Sequence, residues 1–250
     1  MKIAGKTALV TGGAKRVGRE MTLTMAQAGA NVVINFRSGP TEALATAHAA
    51  EAFGVQALPY QADVSKYDQV REMVNAAEVE FGGIDILINN ASIFEKQPFP
   101  SDDLSVWHRS IDTLVHGPFF VANLVAPGML RRGEGVIVNI GDLSVFEGWP
   151  SYTGHVVGKS ALIALTRQLA LELAPAVRVN AMIPGPALPP HDYDDAKYER
   201  VAANTLLNRW GTPEEMAAAV KFLVEADYIT GEVLVVDGGQ RYGHRKHEAG

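Results

Sequence analysis

The sequence predicts an α/β fold built on a doubly wound parallel sheet, and three observations lead there. Short β-branched runs alternate with longer helical segments along the whole 250-residue chain. Most of the short runs are almost continuously apolar, as parallel strands covered on both faces require. The first run leads through a glycine-rich turn, Thr11-Gly-Gly-Ala-Lys-Arg-Val-Gly18, directly into a helix. That sequence of elements is the opening of a Rossmann-type unit.

Strands are expected at Thr7–Val10, Val32–Asn35, Gln56–Gln61, Ile84–Asn89, Val136–Ile140, Val177–Ile183 and Val233–Val236. Helices are expected between them, near 17–28, 41–53, 66–81, 103–131, 151–174 and 213–224. Gly29 and Gly82 read as helix stops and Ser65 as a helix cap. No internal repeat, low-complexity segment or linker divides the chain, so residues 1–250 read as a single domain. The least regular stretch is 184–206, where Pro184, Pro186, Pro189 and Pro190 forbid a long helix. It follows a strand's C-terminal end, which makes it the expected substrate loop.

Composition narrows the function classes. Hydrophobic residues at 47% and charged residues at 20% are ordinary for a soluble globular protein. A net charge of −6 argues against nucleic acid or an anionic membrane as partner. The absence of cysteine excludes disulfides, thiolate metal sites and a cysteine nucleophile. The first residues lead straight into a strand without a signal-peptide core, and no uninterrupted apolar run approaches the ~18 residues of a membrane helix. A cytoplasmic protein with a small-molecule substrate is expected.

At the glycine turn, Gly12 and Gly18 let the backbone approach a pyrophosphate, and the following helix N-terminus offers unpaired N–H donors. The second strand ends at Asn35-Phe-Arg37-Ser38 with no acidic residue to grip ribose hydroxyls. Lys15, Arg37 and Ser38 offer charge and hydrogen bonds to a 2′-phosphate instead, which favours NADP over NAD.

The turn resembles the Thr-Gly-x-x-x-Gly-x-Gly fingerprint of short-chain dehydrogenases/reductases, with Arg16 in place of the middle glycine. Its wording, Thr-Gly-Gly-Ala-Lys-Arg-Val-Gly-Arg, is closest to that of the pteridine reductases within that family. The likeness continues through Asp63-Val64 (the adenine contact), Asn89-Asn90-Ala91-Ser92 under the cofactor, and Pro184-Gly185 beside the nicotinamide. Arg209-Trp-Gly-Thr-Pro-Glu-Glu and Val236-Asp-Gly-Gly complete it, so the resemblance covers essentially the whole chain. It implies a cofactor site formed by Gly12, Lys15, Arg16, Val17, Gly18, Arg37, Ser38, Asp63, Val64, Asn90, Ala91, Ser92, Lys159, Pro184 and Gly185. Arg16 would pair with a phosphate or with an electron-rich ring, and Phe94 would stack on that ring as phenylalanine does on pterins.

The family's proton donor is a tyrosine with a lysine four residues later, one helical turn away on the same face. Here Ser151-Tyr-Thr-Gly-His155-Val-Val-Gly-Lys159 keeps the lysine and puts His155 at the donor position. The serine position falls on Asp142, as in pteridine reductases, and the relay asparagine position falls on Leu114. Three readings follow. His155 is the acid, oriented by Asp142, since imidazole titrates near ~6.5. Alternatively Tyr152, one turn upstream, donates the proton. In the third, the chain binds a nucleotide, or nothing, and catalyses no reduction, acting as a scaffold.

His108 and His116 read as facing a neighbour or solvent. His191, Asp192, Asp194 and Asp195 lack repeated ligand spacing and read as a solvated flap, so no metal is expected. The charged tail from Arg241, with His244 and His247, reads as surface or as a subunit contact. Helix 151–174 is apolar on nearly every face, which predicts a homodimer or homotetramer.

Overall fold

Seven strands form one parallel sheet in the computed structural model, which describes residues 1–189 and 193–245. They are β1 (Thr7–Val10), β2 (Asn31–Phe36), β3 (Ala57–Gln61), β4 (Ile86–Asn89), β5 (Gly135–Ile140), β6 (Val177–Pro184) and β7 (Val233–Val236). Their spatial order is β3-β2-β1-β4-β5-β6-β7. The helices are α1 (Arg16–Gln27), α2 (Pro40–Glu51), α3 (Tyr67–Phe81), α4 (Ser105–Ile111), α5 (Gly117–Arg132), α6 (Thr153–Leu173), α7 (Asp195–Ala203) and α8 (Pro213–Glu225). All seven expected strands are present, and their ends differ from expectation by at most two residues.

Alternation along the strands divides the core between the two faces. Ala8 and Val10, Val32 and Ile34, and Ile86 and Ile88 pack with Met21 and Met25 of α1, Ala47 of α2 and Leu223 of α8. Leu9, Val33 and Leu87 point the other way, onto Met73 of α3 and Val121 and Val125 of α5. Each fully buried aliphatic side chain stabilises the fold by roughly 1.5–3 kcal/mol. This two-sided burial is why the strands are mostly apolar, with buried exceptions such as Asn35, Asn89, Asn139 and Asn180.

Several local expectations change. Ser65 does not cap α3: Lys66 holds the cap position without a side-chain bond. Asp63 shapes that turn instead, its Oδ1 accepting from Ser65 N–H at 2.9 Å. The expected helix 103–131 is interrupted by a π-turn at Asp112–His116. That run, Ser105–Arg132, is long and apolar enough by composition to cross a membrane, but 56% of its most apolar window is buried within the domain. In 184–206 the prolines do stop early, and α7 forms beyond them, capped by Asp194 accepting from Lys197 N–H at 2.7 Å. Gly29 and Gly82 adopt positive φ at the helix ends, as a left-handed stop requires.

The chain order reverses direction at β1. β2 and β3 lie on one side of it and β4 on the other. In open α/β sheets the crevice at such a switch point is where ligands bind.

Candidate active site

At the C-terminal ends of β1 and β4, two turns are tied to each other by hydrogen bonds. Thr11 Oγ1 accepts from the N–H groups of Asn90 (2.9 Å) and Ala91 (3.0 Å). Asn90 Nδ2 donates to the carbonyls of Thr11 (2.9 Å) and Gly12 (3.2 Å). Gly12 sits at φ +62°, and a Cβ on Gly18 would lie 2.2 Å from the Gly12 carbonyl oxygen. Neither position admits a side chain. The first N–H groups of α1 therefore open onto a bare backbone cradle.

A cleft of about 300 Å³ runs from this cradle along the end of β2. Gly12, Lys15, Arg37, Ser38, Asp63, Val64, Ala91 and Ser92 line it, and Lys15, Arg37 and Ser38 are exposed there. The groups expected to meet an adenosine 2′-phosphate are thus brought together, with no carboxylate at the end of β2. The residues present fit a phosphorylated dinucleotide.

A second cleft, of about 640 Å³, meets the first at Ser92. Arg16, Val17, Asn90, Phe94, Asp142, Tyr152, His155, Lys159, Pro184 and Gly185 all border it, so both halves of the expected site share one groove. A Cβ on Gly185 would lie 2.5 Å from the Asp237 Cα, which accounts for glycine there.

Arg16 is held by the chain's own carbonyls. Its φ is +54°, the left-handed conformation that a glycine would adopt at that place. Its guanidinium donates to the carbonyls of Leu188 (3.3 Å) and Pro189 (3.5 Å), joining the phosphate turn to the 184–206 segment.

β5 and α6 supply the polar centre. Lys159 is buried and donates to the Ile140 carbonyl at 2.7 Å. Burial lowers its pKa from the ordinary 10.5 to about 8, against the opposing pull of Asp142. Asp142 caps a single helical turn, its Oδ1 accepting from Ser144 N–H at 2.8 Å. Burial alone would push its carboxyl up. The facing His155 imidazole and the Ser144 N–H outweigh burial and hold it below the ordinary carboxylate range.

His155 is 2% exposed. Its Nδ1 lies 2.9 Å from the Ile93 carbonyl, which only accepts, so Nδ1 carries a proton. Nε2 lies 3.6 Å from Asp142 Oδ2, an ion-pair distance beyond hydrogen-bond range. Among the described residues Nε2 has no hydrogen-bond partner.

Aromatic rings surround this imidazole. Trp149 lies parallel to it (6.3 Å between centroids, 7°), and Phe94 meets it edge-on at 4.9 Å. Phe94 also stacks on Tyr152 at 4.4 Å, so one of its faces is already taken. Further out, Tyr198 stacks on Trp210 and Tyr193 meets the same indole edge-on. Sequence reasoning missed Trp149, Tyr193, Trp210 and the Ile93 carbonyl. A tryptophan three residues before Tyr152 was the available signal for the first.

Leu114 lies in the π-turn, fully buried, where a Cβ on Gly158 would strike its side chain. It packs on α6 beside Lys159 and does not border the cleft. His116 pairs with Asp112 at 3.0 Å, and His108 is exposed, as expected. Among the described residues no three His, Asp or Glu side chains converge on a metal position. The candidates His191, Asp192 and His247 lie outside the described residues, and the His244 side chain is likewise not described.

Comparisons with known proteins cover most of the chain. A family profile described as enoyl-(acyl carrier protein) reductase matches residues 12–241. The 3beta-hydroxysteroid dehydrogenase 1 of Eggerthella lenta is 37% identical over 245 residues, covering 95% of this chain and 94% of that protein. The 3-oxoacyl-(acyl-carrier-protein) reductase FabG of Staphylococcus epidermidis is 35% identical over 240 residues, covering 94% and 98%. A solved gluconate 5-dehydrogenase from Burkholderia cenocepacia, in complex with NADP and tartrate, superposes with TM-score 0.88 at 30% identity, covering 96% and 97%.

Proposed function

This chain belongs to the short-chain dehydrogenase/reductase family of oxidoreductases, and we propose that it is an NADP(H)-dependent member acting on a carbonyl or C=N substrate through an atypical His155-x-x-x-Lys159 site. The carrying observation is that the phosphate cradle and the cleft of Asp142, His155 and Lys159 meet at Ser92. When bound, the dinucleotide supplies the hydride. The chain's own residues do the rest. Gly12, Gly18 and the α1 N-terminus take the pyrophosphate, Lys15, Arg37 and Ser38 a 2′-phosphate, and Lys159 the nicotinamide ribose. Asp63, Val64, Asn90, Ala91, Pro184 and Gly185 frame the bases.

The proton is handled by the Asp142–His155 pair. Imidazolium is the state in which both ring nitrogens find acceptors, the Ile93 carbonyl and the Asp142 carboxylate. Substrate would enter between Phe94, Trp149 and the 184–206 loop, which brings Leu188 and Tyr193 to the cleft. A flat ring suits these walls. The pteridine-reductase likeness of Arg16, Ser92, Phe94 and Asp142 supports a pterin-like one.

A homo-oligomer is part of the same reading. Val157 and Leu171 of α6 are exposed, as are Phe119 and Leu130 of α5, beside a groove of about 220 Å³ lined by Ala122, Ala126 and Leu169. A second copy would cover them. Light scattering at micromolar concentration checks this, and a monomer refutes it.

One observation favours a second reading, a non-catalytic nucleotide-binding or scaffold protein: an apolar, fully buried Leu114 where the family resemblance calls for a relay asparagine. Fluorescence titration with NADPH separates the two. Saturable binding followed by turnover of dihydropterins or quinones, reduced in His155→Ala, supports the enzyme. No saturable binding sinks it.

A further inference from the structure

We infer that Asp142, and not His155, is the group that meets the substrate, with His155 acting behind it as a positioning residue that supplies the proton to it. This rests on the hydride-transfer reading above and reassigns roles within it. Three observations carry it. His155 Nε2 is enclosed as well as unpartnered, so a ligand in the cleft has no contact surface on it. The Asp142 side chain, 24% exposed against 2% for His155, is the more open of the two to the cleft they both line, and its Oδ2 is 3.6 Å from that nitrogen. Ile93 fixes Nδ1 as a donor, so proton exchange at this ring must pass through Nε2, toward Asp142 Oδ2.

In the reducing direction, with a reduced nicotinamide dinucleotide as hydride source, the substrate oxygen or nitrogen gains an electron pair as its carbon takes the hydride. The His155 Nε2–H bond breaks and its proton passes to the Asp142 carboxylate at Oδ2. That Asp142 O–H then breaks as a substrate O–H or N–H forms, and Asp142 ends as the carboxylate it began as. This leaves a neutral imidazole whose Nδ1–H still rests on the Ile93 carbonyl. Oxidation runs the same transfers backwards. In a Ser-His-Asp triad the imidazole faces the substrate and the carboxylate stands behind it. Here the order is inverted, because the carboxylate comes from the end of β5 and the imidazole from the buried side of α6.

The direct test is chemical access, and it needs no substrate. Diethyl pyrocarbonate acylates neutral imidazoles. Labelling at about pH 8, read by mass spectrometry, should reach His48 and His116, whose side chains are 80% and 50% exposed, at least about tenfold faster than His155. Asp142→Ala, or Asp142→Ser if the first variant folds poorly, should unmask His155. Wild-type labelling of His155 as fast as His116 overturns the proposal, and so does an unchanged rate in both variants. NADPH titration of the same samples reports separately on the nucleotide-binding reading. In turnover of 9,10-phenanthrenequinone, Asp142→Asn should lower kcat about a hundredfold or more, and His155→Ala only about tenfold. The reverse order, or a larger loss in Tyr152→Phe, overturns it. A proton inventory curved in wild type and linear in His155→Ala identifies the two-proton relay, and one already linear in wild type removes it.

Discussion

The two ends of the groove are built from different materials. The phosphate end is made of backbone: glycine turns, a helix N-terminus, N–H groups that donate to Thr11 Oγ1 and carbonyls that accept from Asn90 Nδ2. The chemical end is made of side chains that meet only after folding, Asp142 from the end of β5, His155 and Lys159 from α6, and Phe94 and Ile93 from the segment after β4. A backbone site depends on where the chain can bend, and it tolerates no Cβ. A side-chain site can be rebuilt by substitution without disturbing the sheet. Three departures from the family resemblance, His155, Asp142 and Leu114, lie at or beside the second end, while Arg16 stands in the glycine turn of the first, in the left-handed conformation a glycine would take.

The comparison is tested hardest at Lys159, where burial and chemistry conflict. Its folded pKa, about 8, lies below the ordinary 10.5, so between these values the unfolded chain binds more protons. The contribution of this group to stability therefore rises with pH through that window. It is unfavourable below about 8, where the ammonium is held out of water. Lys159→Met should be more stable relative to wild type at pH 7, and its advantage should shrink by up to about 3 kcal/mol by pH 10.5. Denaturant titrations of both proteins across that range measure it. A constant difference would mean that Lys159 is not burdened by burial, and that the chemical end is no more strained than the phosphate end.

Gly18→Ala probes the other end. The added Cβ would sit 2.2 Å from the Gly12 carbonyl and 2.6 Å from Asn90 Nδ2, so the two turns must separate. A loss of about 1–3 kcal/mol in stability is expected, together with at least about tenfold weaker NADPH binding. Thermal melting and fluorescence titration read the two effects. Unchanged binding would show that the cradle does not hold the nucleotide.

The sequence made the first end legible and the second only in part. Backbone sites leave sequence signals because glycine spacing and apolar alternation are local, so the strands, the turn at 11–18 and the end of β2 were all readable. The inventory at the chemical end was readable too, from the spacing of His155 and Lys159. Its geometry was not. That Nδ1 of His155 would find the Ile93 carbonyl, 62 residues away, or that Trp149 would lie parallel to the imidazole, depends on long-range packing with no periodic signature. Ser65 failed as a cap for a local reason: the helix begins at Tyr67, so Lys66 and not Ser65 holds the cap position.

Cofactor choice should follow Arg37. Removing its guanidinium from the cleft along β2 by Arg37→Ala should weaken NADPH binding about tenfold, roughly 1.4 kcal/mol, and leave NADH binding within about twofold. Parallel titrations with the two nucleotides check this. An equal loss for both would place Arg37 outside the discrimination.

The smallest effect is expected at Arg16, whose backbone lies in the phosphate turn and whose side chain reaches the substrate loop. Its backbone occupies the left-handed region at φ +54°, a conformation that costs a non-glycine residue on the order of 1 kcal/mol. Its side chain recovers part of this through two exposed hydrogen bonds to Leu188 and Pro189, at 3.3 and 3.5 Å. Arg16→Gly relieves the first and removes the second, so net stability should change by less than about 1 kcal/mol, with NADPH affinity within about threefold. What should change is the tie between the phosphate turn and the substrate loop. Limited trypsin cleavage at Lys197 and Arg200 should be slowed by NADPH in wild type, and that protection should be lost in Arg16→Gly. Protection that persists in the variant would mean that the guanidinium does not couple the two ends, and that they meet only through the shared wall at Ser92.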